Sequence, residues 1–132
     1  MNLIPDSHQD LLTENKKAFL YLATIMNDGS PQVTPVWFNT DGDHILINSA
    51  QGRLKDKNMR ARPTVAVVIA DPADGYRYLQ IRGKVVEITL TGADEHIDSL
   101  AFKYLGAPKY PYRRENEQRV IYKVLPLHVD AH

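Results

Sequence analysis

Apolar residues concentrate in six stretches of the chain, each rich in the β-branched and aromatic residues that are typical of strands. Short turns separate the first stretches, such as NDGS at residues 27–30 and TDGD at residues 40–43, where glycine can adopt a positive φ. A small antiparallel sheet manages its edges best by closing on itself, so the pattern predicts a six-stranded antiparallel barrel. The six predicted strands cover residues 18–25, 31–39, 44–50, 64–70, 76–90 and 118–129.

Two of these strands carry residues that disturb a regular sheet. The second contains Pro31 and Pro35, and proline cannot donate to a ladder, so this strand is expected at an edge or with a bulge. The fifth contains Gly83 in its interior, which predicts a bend there.

Three helices complete the predicted fold, which is mainly β with flanking helices. A short one follows Pro5, a second covers residues 52–62 and stops at Pro63, and the longest covers residues 92–106. The length of 132 residues and the lack of a linker or repeat predict one domain, residues 1–132. No apolar run approaches the roughly 20 residues of a membrane span, and the first residues do not resemble a signal peptide, so a cytoplasmic location is expected.

Positive charge is unevenly distributed. The chain has 16 basic and 16 acidic residues, which argues against a general nucleic-acid or membrane-surface binder. Yet the predicted helix at residues 52–62 holds five cations, and the first amides of a helix are a natural seat for phosphate. A solvated helix with scattered cations is the alternative, and spacing alone does not separate the two. The five cations are Arg53, Lys55, Lys57, Arg60 and Arg62.

Other kinds of site find little support in the sequence. The chain has no cysteine, and its five histidines lack metal-ligand spacing, so no metal is expected. His96, beside acids on the predicted long helix, is expected at the surface. Neither a nucleophile elbow nor a phosphate-binding P-loop motif occurs, and no catalytic residue can be assigned.

Several ordered motifs resemble a known family. The run VWFNTDGDHILINSAQGRLKDKNMRARPTVAVVIADP, followed by YRYLQIRGKVVEI, is similar to the flavin- and deazaflavin-dependent split β-barrel reductases, the relatives of pyridoxamine 5′-phosphate oxidase. Within them it looks most like the branch that uses coenzyme F420. The resemblance covers about residues 20–129 and implies the FMN-binding split-barrel fold. It also implies a homodimer with a cofactor at the interface, a small-molecule substrate, and no nucleic-acid or membrane partner.

The resemblance further implies a set of cofactor-binding residues. The family's phosphate-binding Arg-x-Lys matches Arg53 and Lys55, and an aromatic beside the cofactor is a weaker match. The full set is Gln32, Val36, Trp37, Phe38, Asn48, Ser49, Ala50, Arg53, Lys55, Asn58 and Tyr76. Tyrosines 78, 110 and 112 are alternative proton donors, and residues 107–117 are expected to influence the choice of substrate.

The identity of the cofactor remains open between two related molecules. F420 carries a long anionic tail, which the cations Lys57, Arg60, Arg62, Lys109, Arg113 and Arg114 could serve, so an F420-dependent reductase is favoured. An FMN-binding oxidoreductase and a non-catalytic flavin or tetrapyrrole binder are the alternatives. A single-stranded nucleic-acid binder fits the neutral charge poorly. The chain ends LPLHVDAH, without the Arg- and His-bearing segment that grips substrate in pyridoxamine phosphate oxidases, which argues against that activity.

Overall fold

Seven antiparallel strands form one curled sheet in the computed structural model, which describes residues 3–132. The order across the sheet is β2-β1-β5-β6-β7-β4-β3. The strands are β1 (Leu20–Ile25), β2 (Pro31–Val36), β3 (Phe38–Asp41), β4 (His44–Ala50), β5 (Thr64–Asp71), β6 (Asp74–Thr89) and β7 (Arg119–Ala131). Residues 1 and 2 of the predicted domain, residues 1–132, lie outside the described part of the chain.

The predicted class, mainly β with an antiparallel split barrel and flanking helices, is confirmed: the sheet is a curled antiparallel half-barrel with seven strands where six were predicted. The expected second strand divides at Trp37 into β2, which pairs with β1, and β3, which pairs with β4. These two short strands are the opposite edges of the sheet. Because one continuous segment supplies both edges, the sheet must curl until they meet at Trp37.

Proline and glycine occupy the positions that their chemistry predicts. Pro31 and Pro35 lie in β2, where a missing N–H leaves no gap in the sheet interior because β2 is an edge strand. At Gly83 the pairing of β6 with β7 shifts register, and the backbones approach closely. A Cβ atom at Gly83 would lie 2.6 Å from the carbonyl oxygen of Leu125, so only glycine fits.

The core lies inside the curl, where alternate residues of every strand point inward. Burying each of the large apolar side chains contributes roughly 1.5–3 kcal/mol relative to leaving it exposed. The fully buried apolar side chains of the strands include Leu20, Leu22, Phe38, Ile45, Ile47, Ile69, Leu79 and Ile81.

All three predicted helices are present. A 3₁₀ helix covers Asp6–Leu12, α1 covers Leu54–Ala61 and α2 covers Ala93–Leu105. Gly92 and Gly106 flank α2 in left-handed conformations, with φ of 76° and 70°, which only glycine adopts without strain. α2 packs against β7 and β4, whereas α1, which begins four residues after the end of β4, packs against β1. No helix within residues 3–132 is long and apolar enough to cross a membrane.

Candidate functional site

A cleft of about 230 Å³ opens beside the start of α1, at the point where β2 passes into β3. One side carries three cations, Arg53, Lys55 and Arg119, which we call the cationic wall. The lining also includes aromatic rings, which we call the aromatic wall: Phe19, Trp37, Tyr110 and Tyr112. The cleft therefore combines a charged region with a flat apolar one.

The cationic wall is drawn together by one carboxylate. Oε1 of Glu117 accepts hydrogen bonds from Nη2 of Arg53 and from Nη1 of Arg119, both at 2.9 Å. Burial, followed by the charges of Arg53 and Arg119, lowers the pKa of the Lys55 amine. Three cations with one nearby carboxylate leave an excess of positive charge, which favours binding of an anion.

The turn that leads into α1 is organised by a buried acid, Asp56. Its carboxylate accepts hydrogen bonds from the Gly52 N–H at 2.9 Å, from Nε of Arg60 at 2.9 Å and from the Tyr122 hydroxyl. Burial by itself would raise the pKa of Asp56, but these hydrogen bonds outweigh it and the pKa is lowered. The only acid of the basic segment thus fixes the backbone that presents Arg53 and Lys55.

Asn48 and Ser49, two polar residues near the end of β4, differ in their hydrogen bonding. The Ser49 side chain is buried, with 2% of the residue exposed, and its hydroxyl has no hydrogen-bond partner among residues 3–132. A buried hydroxyl without a partner is costly, so Ser49 is suited to bind a ligand in the cleft. Asn48, in contrast, donates to the Ala93 carbonyl at 2.9 Å and accepts from Nε of Arg119 at 2.9 Å.

The surface position predicted for His96 is wrong. Its ring is buried between Nδ2 of Asn48, 3.1 Å from Nδ1, and Oδ1 of Asn39, 2.8 Å from Nε2. Because the Asn48 amide donates to Nδ1 while Nε2–H donates to Asn39, the ring is neutral. Burial, and then the charge of Arg119, lowers the pKa of His96 to about 4.

The central ring of the aromatic wall, Trp37, is stacked on Tyr104. The Trp37 ring lies 5.3 Å from that of Tyr104 at an interplanar angle of 6°, and Tyr110 meets Trp37 edge-on at 6.1 Å. The guanidinium of Arg119 lies 5.1 Å from the centre of the Tyr110 ring, which joins the two walls. These contacts hold the Trp37 ring in one orientation.

Tyr110 and Tyr112 belong to the irregular segment between α2 and β7, residues 106–118. Asp98 of α2 accepts the Tyr110 N–H at 2.8 Å and Nη2 of Arg113 at 2.8 Å. Arg113 also pairs with Asp94 at 2.9 Å. These contacts, all with α2, fold the segment back over the cleft.

Six of the eleven predicted cofactor-binding residues line the cleft: Val36, Trp37, Asn48, Ser49, Arg53 and Lys55. The side chains of the other five lie elsewhere, and cofactor binding remains a prediction for all eleven. Gln32 accepts from Thr24 at 3.1 Å, and Asn58 donates to Thr24 at 3.0 Å. Phe38 and Ala50 are buried, and Tyr76, near the start of β6, is 92% exposed.

Of the tyrosines predicted as proton donors and the cations predicted to bind an anionic tail, only some line the cleft. Tyr110 and Tyr112 line the cleft, whereas Tyr78 pairs with His132 in the sheet. Arg60, Arg62 and Arg113 are engaged in internal hydrogen bonds. Sequence reasoning missed Arg119 and Glu117, because each is joined to its partners only through tertiary contacts.

Comparison with known proteins agrees with this fold. The family model described as "Pyridoxamine 5'-phosphate oxidase" matches residues 4–132. A solved structure named "F420 Reductase" is 31% identical with a TM-score of 0.84, over 96% of this chain and 98% of that one. A conserved hypothetical protein of Mycobacterium tuberculosis is 21% identical with a TM-score of 0.71, over 98% of this chain and 85% of that one. Group A Streptococcus HupZ is 15% identical with a TM-score of 0.67, over 97% and 93%.

Proposed function

This chain belongs to the pyridoxamine 5′-phosphate oxidase family, whose members are mostly flavin-binding oxidoreductases, and from that premise we propose that it is an F420-dependent reductase. In this proposal it transfers a hydride between the reduced deazaflavin coenzyme and an unsaturated small organic substrate. The proposal includes a cytoplasmic location.

The observation that carries the proposal is that three cations, Arg53, Lys55 and Arg119, line one cleft together with Ser49, whose buried hydroxyl has no hydrogen-bond partner among residues 3–132. A phosphoryl group in the cleft would accept a hydrogen bond from Ser49 and charge-assisted ones from Arg53 and Lys55. Both F420 and FMN carry such a group, so the residues present fit either cofactor. The site therefore supports a phosphate-bearing ligand more strongly than a neutral one.

The aromatic wall supports a flat ring as the other part of the ligand. Trp37, braced by Tyr104, offers an apolar surface next to the cations. The bound cofactor would supply the hydride chemistry, while this chain binds, orients and shields the ring from water. Tyr110 and Tyr112 line the same cleft and are the proposed carriers of a proton.

FMN is a second candidate, because three of the cations expected to bind the long tail of F420 form contacts within the protein instead. Arg60, Arg62 and Arg113, which a long anionic tail could have used, already bind groups of the protein itself. The 31% identity to a protein named as an F420 reductase favours the deazaflavin. The family match, which concerns flavin binding, favours FMN equally well.

A homodimer is part of the proposal because one chain offers only a small cleft. Its volume of about 230 Å³ is below the roughly 300–1,000 Å³ that is usual for cofactor and drug-sized pockets. The outer face of β2, β1 and β5 next to the cleft carries apolar side chains, among them Tyr21 and Val33, which are 44% and 63% exposed. A second copy covering this face would enlarge the site and bury the patch.

The test is a titration of ligand-free protein with F420 and, separately, with FMN. The fluorescence of Trp37, the only tryptophan, reports binding at the aromatic wall. Lys55→Ala should weaken F420 binding at least ten-fold, since it removes a half-buried cation of the cleft. Lys57→Ala, which removes an exposed cation of the same helix, should change it less than three-fold. Sedimentation equilibrium on the same samples should give the mass of two chains.

Each other result has a definite meaning. Tighter binding of FMN than of F420 would replace the deazaflavin with the flavin. Binding of neither cofactor would refute the proposed function, and equal effects of Lys55→Ala and Lys57→Ala would refute the proposed phosphate seat.

A further inference from the structure

Arg119 is the least expected member of the cleft, and its surroundings suggest a specific role. It is the first residue of β7 and only 3% exposed, yet it lines the same cleft as Trp37. A buried guanidinium is normally satisfied on every side, because an unpaired charge in the interior is costly.

Other residues of the protein accept hydrogen bonds from only two of the three nitrogens of this guanidinium. Nε donates to Oδ1 of Asn48 at 2.9 Å and Nη1 donates to Oε1 of Glu117 at 2.9 Å. Within residues 3–132 no acceptor is hydrogen-bonded to Nη2. The Tyr110 ring, 5.1 Å away, fixes the plane of the group. Arg119 therefore has two nitrogens fixed by the protein and a third, Nη2, that is left to bind a ligand.

The Asn48 side chain is fixed in the orientation that accepts a hydrogen bond from Arg119. Its Nδ2 atom donates to the Ala93 carbonyl and to Nδ1 of His96, at 2.9 and 3.1 Å, which directs Oδ1 towards Arg119. Both N–H donors of the Asn48 amide and one acceptor site of its oxygen are thus used within the protein. Although Asn48 lines the cleft, its side chain is a positioning group and has no free donor for a cofactor.

We propose that Arg119 is an anion-binding residue of this cleft, positioned by Asn48 and Glu117 to donate to the same phosphoryl group as Arg53. This inference deepens the proposed function and rests on it, since it names the residue that completes the phosphate seat. Glu117 binds Arg53 and Arg119 through a single oxygen, so the two guanidiniums converge from neighbouring positions. Nη2 of Arg119, the donors of Arg53 that Glu117 leaves unoccupied, and the Lys55 amine together form a seat for a phosphate or diphosphate.

The experiment measures binding of inorganic pyrophosphate to the ligand-free chain by calorimetry. Arg119→Gln alone would leave Glu117 buried beside one cation fewer, so the informative pair is Glu117→Gln and Glu117→Gln/Arg119→Gln. The double variant removes both charges together, and the amide introduced at position 119 can still donate to Asn48. Arg114→Gln is the matched control, because it removes an exposed arginine five residues away whose side chain does not line the cleft.

We expect the dissociation constant of pyrophosphate to be at least ten-fold higher for the double variant than for Glu117→Gln. Arg114→Gln should stay within three-fold of the unmodified chain. A double variant within three-fold of Glu117→Gln, or an unmodified chain that does not bind pyrophosphate, would overturn the assignment of Arg119.

The same variants titrated with F420 and FMN separate this inference from the proposed function. If a cofactor binds and the double variant binds it as well as Glu117→Gln does, the function stands and the role of Arg119 is wrong. If pyrophosphate binding depends on Arg119 but neither cofactor binds, the anion seat stands and the proposed function is wrong.

Discussion

The two walls of the cleft are built in different ways. The cationic wall lies at the start of α1 and of β7, where Asp56 fixes the backbone before Arg53 and a buried hydrogen bond to Asn48 fixes the Arg119 side chain. The aromatic wall takes Tyr110 and Tyr112 from an irregular segment that is held to α2 mainly by exposed ion pairs of Arg113. Buried contacts therefore hold Arg119 and the backbone of the cationic wall, whereas the segment that carries Tyr110 and Tyr112 can move at little cost.

This difference suggests a division of labour between the walls. A seat for phosphate benefits from donors that are already in place, because no free energy is then lost in ordering them on binding. A wall that contacts a variable substrate benefits from a segment that can adapt, and loops carry such roles because they tolerate change. Substitutions that affect the cationic wall should therefore lower the free energy of unfolding. Substitutions that affect the aromatic wall should mainly change the rate of amide hydrogen exchange.

The strongest test of the cationic wall is the removal of its central acid. Asp56→Ala leaves Arg60, the Tyr122 hydroxyl and the Gly52 N–H without their shared acceptor. Since breaking a buried charged network is costly, the free energy of unfolding should fall by roughly 3 kcal/mol. Urea denaturation at pH 7 measures this loss. Asp43→Ala, in the exposed turn between β3 and β4, should change stability by less than about 0.5 kcal/mol.

If Asp56→Ala and Asp43→Ala were equally stable, the buried network would not hold the cationic wall in place. The contrast between the two walls would then lose its physical basis.

The second test uses pH, because His96 lies behind the cationic wall as a neutral ring. Its pKa of about 4 in the folded chain is below the unfolded value of 6.5, so only the unfolded chain takes up a proton between these values. Stability should be complete above pH 6.5 and fall as the pH decreases, by roughly 2–3 kcal/mol between pH 7.5 and 4.5. The group faces Asn39, Asn48 and the charge of Arg119.

Denaturation curves at both pH values compare the unmodified chain with His96→Gln and His128→Gln. His96→Gln should remove most of this pH dependence, whereas His128→Gln, at an exposed position of β7, should preserve it. Asp56 and Glu117, whose pKa values are lowered, begin to lose their contributions below about pH 5, and this part of the pH dependence is common to the unmodified chain and both variants. Retention of the full pH dependence in His96→Gln would show that another group titrates.

The same contrast explains what could be predicted from the sequence. The sheet and α2 follow from local signals: turns at Gly29 and Gly42, prolines at an edge, and glycines at both ends of the helix. Local signals also identified Arg53 and Lys55, because a basic cluster after a strand is visible in the sequence itself. The division of the second strand at Trp37 was not visible, since it depends on which partner strands lie nearby.

The missed residues are those whose role depends on distant partners. Arg119 meets Asn48 across 71 positions of the chain, and no pattern near Arg119 indicates this contact. His96 was misjudged because its neighbours Asp94 and Glu95 are acids, although it lies one turn before the buried Leu100. Helical phase carried the correct signal, and composition obscured it.

The smallest expected effect on stability belongs to the aromatic wall. Arg113→Gln removes two ion pairs with Asp94 and Asp98, and Arg113 is 39% exposed. Exposed pairs contribute little, so the free energy of unfolding should change by less than about 1 kcal/mol. The Tyr110 amide, which donates to Asp98, should nevertheless exchange its hydrogen several-fold faster as the segment loosens. Arg114→Gln, with no ion pair in residues 3–132, should leave that rate unchanged. An unchanged exchange rate in Arg113→Gln would mean that the segment is held by Tyr110 and its ring contacts instead, and the aromatic wall would then be as rigid as the cationic one.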